Sequence, residues 1–356
     1  MTLPTRTLAA ILVEQRKPLV VAEIDLPESL EVGQVLVEFF YSGICGSQLG
    51  EIDGVKGPDR WLPHLLGHEA SGKVLAIGSS VKHVKPGDHV VAHWRPSLGI
   101  EASTPKYRWN GRTVNAGWVT TFNQFGVISE NRLTSILAES DLKAAALYGC
   151  AITTGFGTID NVAKIRLGES VVVFGAGGIG LNIVQAASLA GASTIIAIDR
   201  YDGRLTLASR CGATDCINSE AQDPWNAIHQ ILSNSHGKKK ALDVFIDNTG
   251  NASIIARGYE TVGPEGRVVL VGVPKAGDKA SIHTLGLHFG RSITGTTGGE
   301  AKPHDDIGRY MGLAKARKID FGSLITEVAP LADVNRLIDD MRQGKSAGRS
   351  LISFKS

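Results

Sequence analysis

The chain is poor in cysteine, with only four among 356 residues, at positions 45, 150, 211 and 216. Their number and wide spacing exclude a disulfide framework of the kind that stabilises small secreted domains. The N-terminal stretch also lacks the long apolar segment and small-residue cleavage site of a signal peptide. We therefore expect a reduced, cytoplasmic protein.

Long apolar runs and a strong excess of one charge are absent as well. No apolar run approaches the ~20 residues that span a bilayer, and 37 basic against 35 acidic residues leave a formal net charge of +2. Because the charges are interspersed, neither nucleic acid nor a membrane is an expected partner. The densest basic run, Lys238–Lys240, is typical of a solvated loop.

The chain is rich in apolar residues (43%) and in glycine (42 residues), and it is long enough for two domains. Short apolar or alternating segments separated by glycine and proline turns fill its first part. They include QVLVEFFYSGI, ASGKVLAIGSSV, GDHVVAHW and NQFGVIS. This pattern predicts an irregular, β-rich domain.

From about residue 140, strand-like and helix-like segments alternate. SVVVFGAGG, STIIAIDR, ALDVFIDNTG and GRVVLVGVP are typical of buried parallel strands, and GLNIVQAASLAGA is typical of a helix. The alternation predicts an α/β fold with a doubly wound parallel sheet. We expect this domain to span 152–297, and the β-rich domain to comprise 1–151 and 298–356.

A G-x-G-x-x-G motif stands directly between the first of these strands and its helix. In such a motif we expect Gly175 to form a tight turn, Gly177 to let the backbone approach a pyrophosphate, and Gly180 to allow close packing of helix on strand. The predicted phosphate-binding residues are Gly175, Gly177, Gly178, Ile179 and Gly180. The alternative is a plain strand-to-helix turn.

Asp199 ends the next strand, 19 residues after Gly180. A carboxylate about 20 residues beyond the motif binds the adenosine ribose hydroxyls of dinucleotides. Its charge would repel a 2′-phosphate, which favours NAD over NADP. Arg200 follows it and tolerates a phosphate, so the expected preference is not absolute.

Three side chains of the metal-ligand type are Cys45, His68 and Cys150. Two sulfurs and an imidazole suit Zn²⁺, and a three-ligand set leaves a fourth position open, which is characteristic of a catalytic site. Residues so far apart in sequence cannot be shown to converge, and a buried thiol is often a core residue. That alternative stays open for these residues, and it fits Cys211 and Cys216 well.

The motifs GICGS, GHEASGKV, VKPGDHVV, GCAITTGFG, VVVFGAGGIGL, AIDR and VVLVGVP follow one another along nearly the whole chain. In these motifs and their order the chain resembles the medium-chain zinc-dependent alcohol dehydrogenases. The resemblance implies a GroES-like catalytic domain joined to a Rossmann NAD-binding domain. It also implies zinc ligation by Cys45, His68 and Cys150, hydride transfer between an alcohol or carbonyl and NAD, and a homodimer or homotetramer.

The same resemblance implies roles for further residues. Ser47 would bind the substrate hydroxyl and pass on its proton, and Glu69 would lie beside the metal as an occasional ligand. The other implied contacts are Trp94 and Phe122 in the substrate pocket, Thr154 near the nicotinamide, Arg204 at the adenosine ribose, Val271 at the carboxamide and Arg349 at the pyrophosphate.

The chain departs from the family pattern in three places. Many relatives carry four closely spaced cysteines that bind a structural zinc, whereas PSLGIEASTPKYRWNGRTVNAGW contains none, so we expect one zinc per chain. Gln48 stands where relatives usually have a carboxylate, so the usual acceptor for the zinc histidine is missing. Gly50 stands where a relay histidine often lies. The departures concern the proton route and metal affinity, not the reaction class.

His93, Trp94, Arg95 and the segment that replaces the cysteine lobe make a polar, aromatic and basic neighbourhood. We expect a polyol, sugar or cyclitol-like secondary alcohol as substrate, and the alternative is that these residues only cover a surface loop. Two other functions remain open from the sequence. One is a zinc-free enone or quinone reductase of the same superfamily, and the other is a cofactor-binding protein without catalysis.

Overall fold

The computed structural model describes residues 3–234 and 241–355, so the basic run Lys238–Lys240 lies outside the described residues. Contacts between Cα atoms divide the chain into two compact units. The first, called here the barrel unit, comprises Met1–Cys150 and Lys302–Ser356, and the second, the parallel-sheet unit, comprises Ala151–Ala301. The predicted bounds of the functional domains stay a prediction. They are 1–151 with 298–356 for the catalytic domain and 152–297 for the NAD-binding domain.

Strands and helices contribute similar numbers of residues to the regular structure of the described residues. In chain order they are β1 Arg6–Leu12, β2 Val20–Asp25, β3 Gln34–Gly43, β4 His64–Leu65, β5 Glu69–Ile77, β6 His89–His93, β7 Lys106–Trp109, β8 Arg112–Asn115, β9 Phe125–Ser129, β10 Leu133–Ile136, β11 Ser170–Phe174, β12 Thr194–Asp199, β13 Asp215–Asn218, β14 Leu242–Asp247, β15 Val262–Leu270, β16 Ser292–Gly295, β17 Ile325–Pro330 and β18 Arg349–Ser353.

The α-helices are shorter than a bilayer requires. They are α1 Gly46–Ile52, α2 Leu142–Leu147, α3 Ala151–Gly157, α4 Gly178–Leu189, α5 Asp202–Arg210, α6 Pro224–Asn234, α7 Ala252–Thr261, α8 Pro303–Arg317 and α9 Val334–Arg342. A π-helical turn, Thr158–Ala163, continues α3, and short 3₁₀ helices include Gly298–Glu300 and Thr284–Phe289. Within 3–234 and 241–355 no helix has the length and apolar character of a membrane span.

The parallel-sheet unit contains one sheet in the order β13-β12-β11-β14-β15-β16, and all of its neighbouring strands are parallel. Val171 to Val173 in β11 are fully buried. That is why this strand is a continuous apolar run and not an alternating one. Trp225 of α6 stacks against both Phe174 and Phe245 at ring distances of 5.7 and 5.9 Å, and the two phenylalanine rings lie 6.3 Å from each other. The predicted doubly wound parallel sheet is confirmed.

The barrel unit contains a closed barrel in the order β1-β2-β7-β8-β4 and a larger sheet in the order β10-β6-β5-β3-β18-β17, with β9 also paired to β3. The apolar segments predicted as strands form β3, β5, β6 and β9. The long strand β3 is the centre of the larger sheet, because it pairs with β5, β9 and β18. The predicted β-rich, GroES-like half is confirmed.

The segment that replaces the cysteine lobe forms the hairpin β7–β8, which the sequence analysis did not predict. Its turn is Asn110-Gly111, with both residues at positive φ (49° and 74°), the dipeptide that two-residue hairpin turns favour. Tyr107 of β7 is fully buried, and its hydroxyl oxygen accepts a hydrogen bond from the Val127 N–H at 2.8 Å. Burial raises the pKa of Tyr107. A buried tyrosine therefore anchors the hairpin to the barrel unit.

We predict that Tyr107→Phe destabilises the barrel unit by about 1–3 kcal/mol, because the buried Val127 N–H loses its acceptor. Urea denaturation measures the change in the free energy of unfolding. Tyr41→Phe is the matched control, since Tyr41 is also a buried tyrosine of this unit. An equal loss of stability in the two variants would show that the hydrogen bond contributes nothing.

Candidate active site

The three predicted metal ligands converge in the barrel unit. Cys45 lies at the N-cap of α1, His68 directly precedes β5, and Cys150 is the last residue of the unit before α3. One donor atom from each residue lies within 4.8 Å of the others. Both sulfurs are buried. The fold thus assembles the Cys₂His set that the sequence could only suggest.

Gln48 connects two of these residues. It is 1% exposed, and its Oε1 accepts a hydrogen bond from the Cys45 N–H at 2.8 Å. Its Nε2 lies 2.6 Å from Nδ1 of His68. The histidine therefore has a hydrogen-bonding neighbour where the sequence indicated a missing acceptor, but the neighbour is an amide nitrogen and not a carboxylate.

The charges at the site are buried and mutually compensating. A hydrogen bond from the Cys150 thiol lowers the pKa of Cys45 well below its usual value despite burial, and the positive charge of Arg349 lowers it further. Nη2 of Arg349 lies 3.4 Å from Oε1 of Glu69, and its Nη1 donates to the Ile44 carbonyl at 2.8 Å. Burial opposes the charge of Arg349, but Glu69 and the two sulfurs raise its pKa.

The site fits a zinc ion by the chemistry of its donors and by its unsatisfied atoms. Within the described residues, Oγ of Ser47 and Nε2 of His68 are buried and have no hydrogen-bond partner. Leaving such an atom unpaired costs about 1–3 kcal/mol, so a ligand at this place is physically reasonable. Two sulfurs and an imidazole with an open fourth position are the donor set of catalytic zinc.

The glycine loop has the geometry of a phosphate-binding turn. Gly175 has φ of 98° and donates its N–H to the Ile198 carbonyl at 2.8 Å. A Cβ atom at Gly180 would collide with the Gly175 carbonyl, so the helix start packs closely on the turn. Gly177, the N-cap of α4, provides no side-chain cap and has open space beyond its Cα. The first N–H groups of α4 are thus available to an anion.

Asp199 ends β12 and is 6% exposed. Its carboxylate accepts hydrogen bonds from the Ala176 N–H at 2.9 Å and the Tyr201 N–H at 3.2 Å, and Nη1 of Arg204 lies 3.6 Å away. The guanidinium groups of Arg200 and Arg204 each lie 4.9 Å from the Tyr201 ring centroid. The carboxylate therefore connects the end of β12 to the glycine loop, and the nearby Arg204 partly balances its negative charge.

Two residues that organise this unit were missed in the sequence. Nδ2 of Asn248 donates to the Gly175 carbonyl at 3.1 Å. The buried Asp247 carboxylate accepts from the N–H groups of Thr249 and Gly250, and its backbone carbonyl accepts the Val271 N–H at 2.8 Å. The sequence signal that could have indicated these two residues is the polar D-N-T-G segment at the carboxyl end of a buried strand, because ligands bind at that end of the strands in such sheets.

Other predicted site residues lie in packed surroundings. Phe122 is fully buried in a core cluster that includes Ile44 and Leu66, so its side chain packs in the core and the structure offers no support for a pocket role. Arg349 is only 3% exposed and lies against Glu69. Its guanidinium lies beside the candidate metal site, and the predicted contact with a pyrophosphate stays a prediction.

Trp94 is partly buried, with the Arg95 guanidinium 5.9 Å from its ring. His93 is 1% exposed, and its ring nitrogens lie 2.8 Å from the Arg95 carbonyl and 2.9 Å from Oγ1 of Thr134. Burial lowers the pKa of His93 to about 4. His93 is therefore a structural residue. Of the three residues expected to form a polar, aromatic neighbourhood, Trp94 and Arg95 stay candidates for contact with a substrate.

Thr154 and Val271 lie in the parallel-sheet unit. Thr154 is 4% exposed in α3, and its carbonyl accepts the Thr158 hydroxyl at 2.7 Å. The N–H of Val271 is already bonded to Asp247, so of its backbone groups only the carbonyl is available for the predicted carboxamide contact.

Family models match both halves of the chain. Residues 31–137 match the alcohol dehydrogenase GroES-like domain, and residues 178–315 match the zinc-binding dehydrogenase family. The first match covers Cys45 and His68, and the second covers Gly178 to Gly180 of the glycine loop and Asp199.

Relatives of known function and solved structures match over nearly the full length. The S-(hydroxymethyl)glutathione dehydrogenases of Synechocystis and Haemophilus influenzae are 32% and 30% identical, over 97% of this chain and 99% and 97% of theirs. A Burkholderia ambifaria alcohol dehydrogenase zinc-binding domain protein superposes with a TM-score of 0.88 at 27% identity, covering 99% of each chain. Benzyl alcohol dehydrogenase of Acinetobacter calcoaceticus gives 0.86 at 27% identity, covering 98% of this chain and 99% of that one.

The full-length identities above, the two matched family models and the convergent Cys₂His site agree. The chain belongs to the medium-chain zinc-dependent alcohol dehydrogenase family and is an oxidoreductase of the alcohol dehydrogenase type.

Proposed function

We propose that the chain transfers a hydride between an alcohol or carbonyl substrate and NAD(H) at a single zinc ion held by Cys45, His68 and Cys150. The observation that carries the proposal is the approach of these three donor atoms to within 4.8 Å in a buried site. The zinc-free reductase is disfavoured, because such an enzyme has no use for two buried sulfurs and an imidazole at this spacing.

Zinc in such a site supplies a Lewis acid for the substrate oxygen, and NAD supplies the hydride acceptor. The contributions of the chain are ligation, orientation and proton transfer. Cys45 and Cys150 bring sulfur ligands whose negative charge Arg349 balances. Glu69, buried and ion-paired with Arg349, fixes that guanidinium beside the sulfurs.

We assign the first proton transfer to Ser47. It lies in the first turn of α1, two residues after Cys45, and its buried Oγ has no hydrogen-bond partner among the described residues. The hydroxyl is therefore available to accept the proton of a substrate alcohol. Gly50, one turn further along α1, has no side chain to carry that proton on, so the route continues through water or another group.

The proposed NAD contacts lie at the carboxyl end of the parallel sheet. Gly175 to Gly180 and the start of α4 would hold the pyrophosphate, and Asp199 would accept the adenosine ribose hydroxyls, with Arg204 beside it. Val271 and Thr154 are proposed near the nicotinamide, as the family resemblance implies. Asp247 and Asn248 support this arrangement by fixing the two loops beside Gly175 and Val271.

We propose a polyol, sugar or cyclitol-like secondary alcohol as the substrate class. The support is the pairing of Trp94 with Arg95, an apolar face beside a cation, which suits a hydroxyl-rich molecule better than a long aliphatic one. The second candidate is S-(hydroxymethyl)glutathione, on which the curated relatives act by name. Initial rates with NAD across polyols, sugars, cyclitols, benzyl alcohol and S-(hydroxymethyl)glutathione decide between the two.

We propose that the chain forms a homodimer or homotetramer in a cytoplasmic setting. Strand β16 is an edge of the parallel sheet, and beside it Leu285, Leu287 and Phe289 are 53%, 40% and 67% exposed. An open edge strand next to exposed apolar side chains is a surface that proteins usually cover. The native mass by light scattering tests the assembly.

The four free cysteines agree with a reducing compartment.

We predict about one zinc per purified chain, and we predict that Cys150→Ala loses both zinc and turnover while NAD still binds. Cys150 belongs to the metal centre of the barrel unit, whereas the glycine loop lies in the other unit. Elemental analysis, alcohol oxidation rates and fluorescence titration with NAD measure the three properties. Cys211→Ala, which removes a buried thiol of the parallel-sheet unit, is the control and should retain zinc. A content near two zinc ions per chain contradicts the single-site proposal.

We predict that the wild-type enzyme uses NAD more efficiently than NADP and that Asp199→Asn shifts kcat/KM toward NADP by at least about tenfold, equivalent to ~1.4 kcal/mol. The asparagine removes the charge but keeps an oxygen for the Ala176 N–H. Arg200→Ala should instead lower the efficiency with NADP and leave that with NAD nearly unchanged. Equal efficiencies with both cofactors in the wild type would show that the arginines outweigh the carboxylate.

We predict that Ser47→Ala slows alcohol oxidation by roughly 10²–10⁴-fold, the usual effect of losing a positioned acid–base group. Ser47→Thr keeps a hydroxyl at the same position and is the matched control. Rates with protiated and deuterated alcohol across pH separate proton transfer from hydride transfer. A Ser47→Ala enzyme with an unchanged rate at every pH would remove Ser47 from the mechanism.

A further inference from the structure

Gln48 is a buried side chain that contacts two proposed metal ligands at once. Its Oε1 accepts from the Cys45 N–H at 2.8 Å, and its Nε2 lies 2.6 Å from Nδ1 of His68. At 1% exposure it has no access to bulk water as a replacement partner. The side-chain hydrogen bonds of Gln48 are therefore divided between Cys45 and His68.

An amide has one accepting end and one donating end. The Cys45 N–H can only donate, so the amide oxygen faces Cys45 and the NH₂ group faces His68. A histidine that binds zinc through Nε2 carries its proton on Nδ1 and donates it to an acceptor. An NH₂ group cannot accept that proton. If the amide turns to offer its oxygen to His68, the Cys45 N–H faces a donor instead.

We infer that Gln48 is a positioning residue that satisfies only one of the two ligands at a time, so that it limits how tightly this chain holds zinc. The inference rests on the proposed zinc site. A glutamate has the same length and two accepting oxygens, which can receive the Cys45 N–H and the His68 Nδ1–H together. Gln48→Glu therefore strengthens zinc binding, and the natural residue leaves the metal more exchangeable.

The test measures the rate at which zinc-loaded, full-length protein releases zinc to excess EDTA. Changes in groups that hydrogen-bond to metal ligands usually alter affinity by about 10–100-fold. We expect Gln48→Glu to release zinc at least about tenfold more slowly than the wild type. Thermal unfolding supplies a second readout, because the buried carboxylate should lower the melting temperature without zinc and enlarge the increase on adding zinc.

Gly50→Glu is the matched control for charge. It places a carboxylate on the same helix, where an added Cβ meets nothing closer than Val55 at 4.0 Å. A carboxylate at this position lacks the two hydrogen bonds, so Gly50→Glu should release zinc near the wild-type rate. A slowing equal to that of Gln48→Glu would attribute the effect to charge alone and overturn the inference.

The remaining outcomes separate this inference from the proposed function. A wild-type protein that binds no zinc removes the proposed site itself. A wild-type protein that binds one zinc, together with a Gln48→Glu variant that releases zinc as fast or faster, leaves the site intact and overturns the role of Gln48. A Gln48→Glu protein that fails to fold even with zinc also contradicts it, because the zinc-loaded variant should be the more stable form.

Discussion

Burial of negative charge at the sulfur cluster is the constraint on which the barrel unit depends. The Cys45 sulfur and the carboxylate of Glu69 are both removed from water, and uncompensated charges in such surroundings are very costly. Arg349 provides the compensation from β18, at the start of the strand that pairs with β3. The pairing of β18 with β3 therefore brings the guanidinium beside the candidate metal site.

The same guanidinium also orders the backbone around the candidate metal site. Its Nη1 is bonded to the Ile44 carbonyl and its Nη2 approaches Glu69. These interactions fix the backbone just before Cys45 and the residue just after His68. Arg349 therefore connects the two loops that carry Cys45 and His68.

In the parallel-sheet unit, backbone groups and short polar side chains order the candidate cofactor site by hydrogen bonding. Asp199 holds the Ala176 N–H, Asn248 holds the Gly175 carbonyl, and Asp247 holds the turn after β14. These bonds keep the glycine loop in one conformation before any ligand arrives. Pre-ordering of this kind reduces the entropy that cofactor binding must otherwise overcome.

The sequence by itself determined the elements whose signal is local. Continuous apolar runs such as Val171 to Val173 require a strand buried on both faces, and Gly175 and Gly180 require a tight turn under a helix, because these demands act within a few residues. The hairpin around Tyr107 was missed although Asn110-Gly111 signalled its turn, since the buried anchor became visible only with its partner Val127. Only the tertiary structure decided that Cys45, His68 and Cys150 meet, that Gln48 bridges two of them and that Phe122 packs in the core. Those facts depend on pairing between distant strands, which no local pattern encodes.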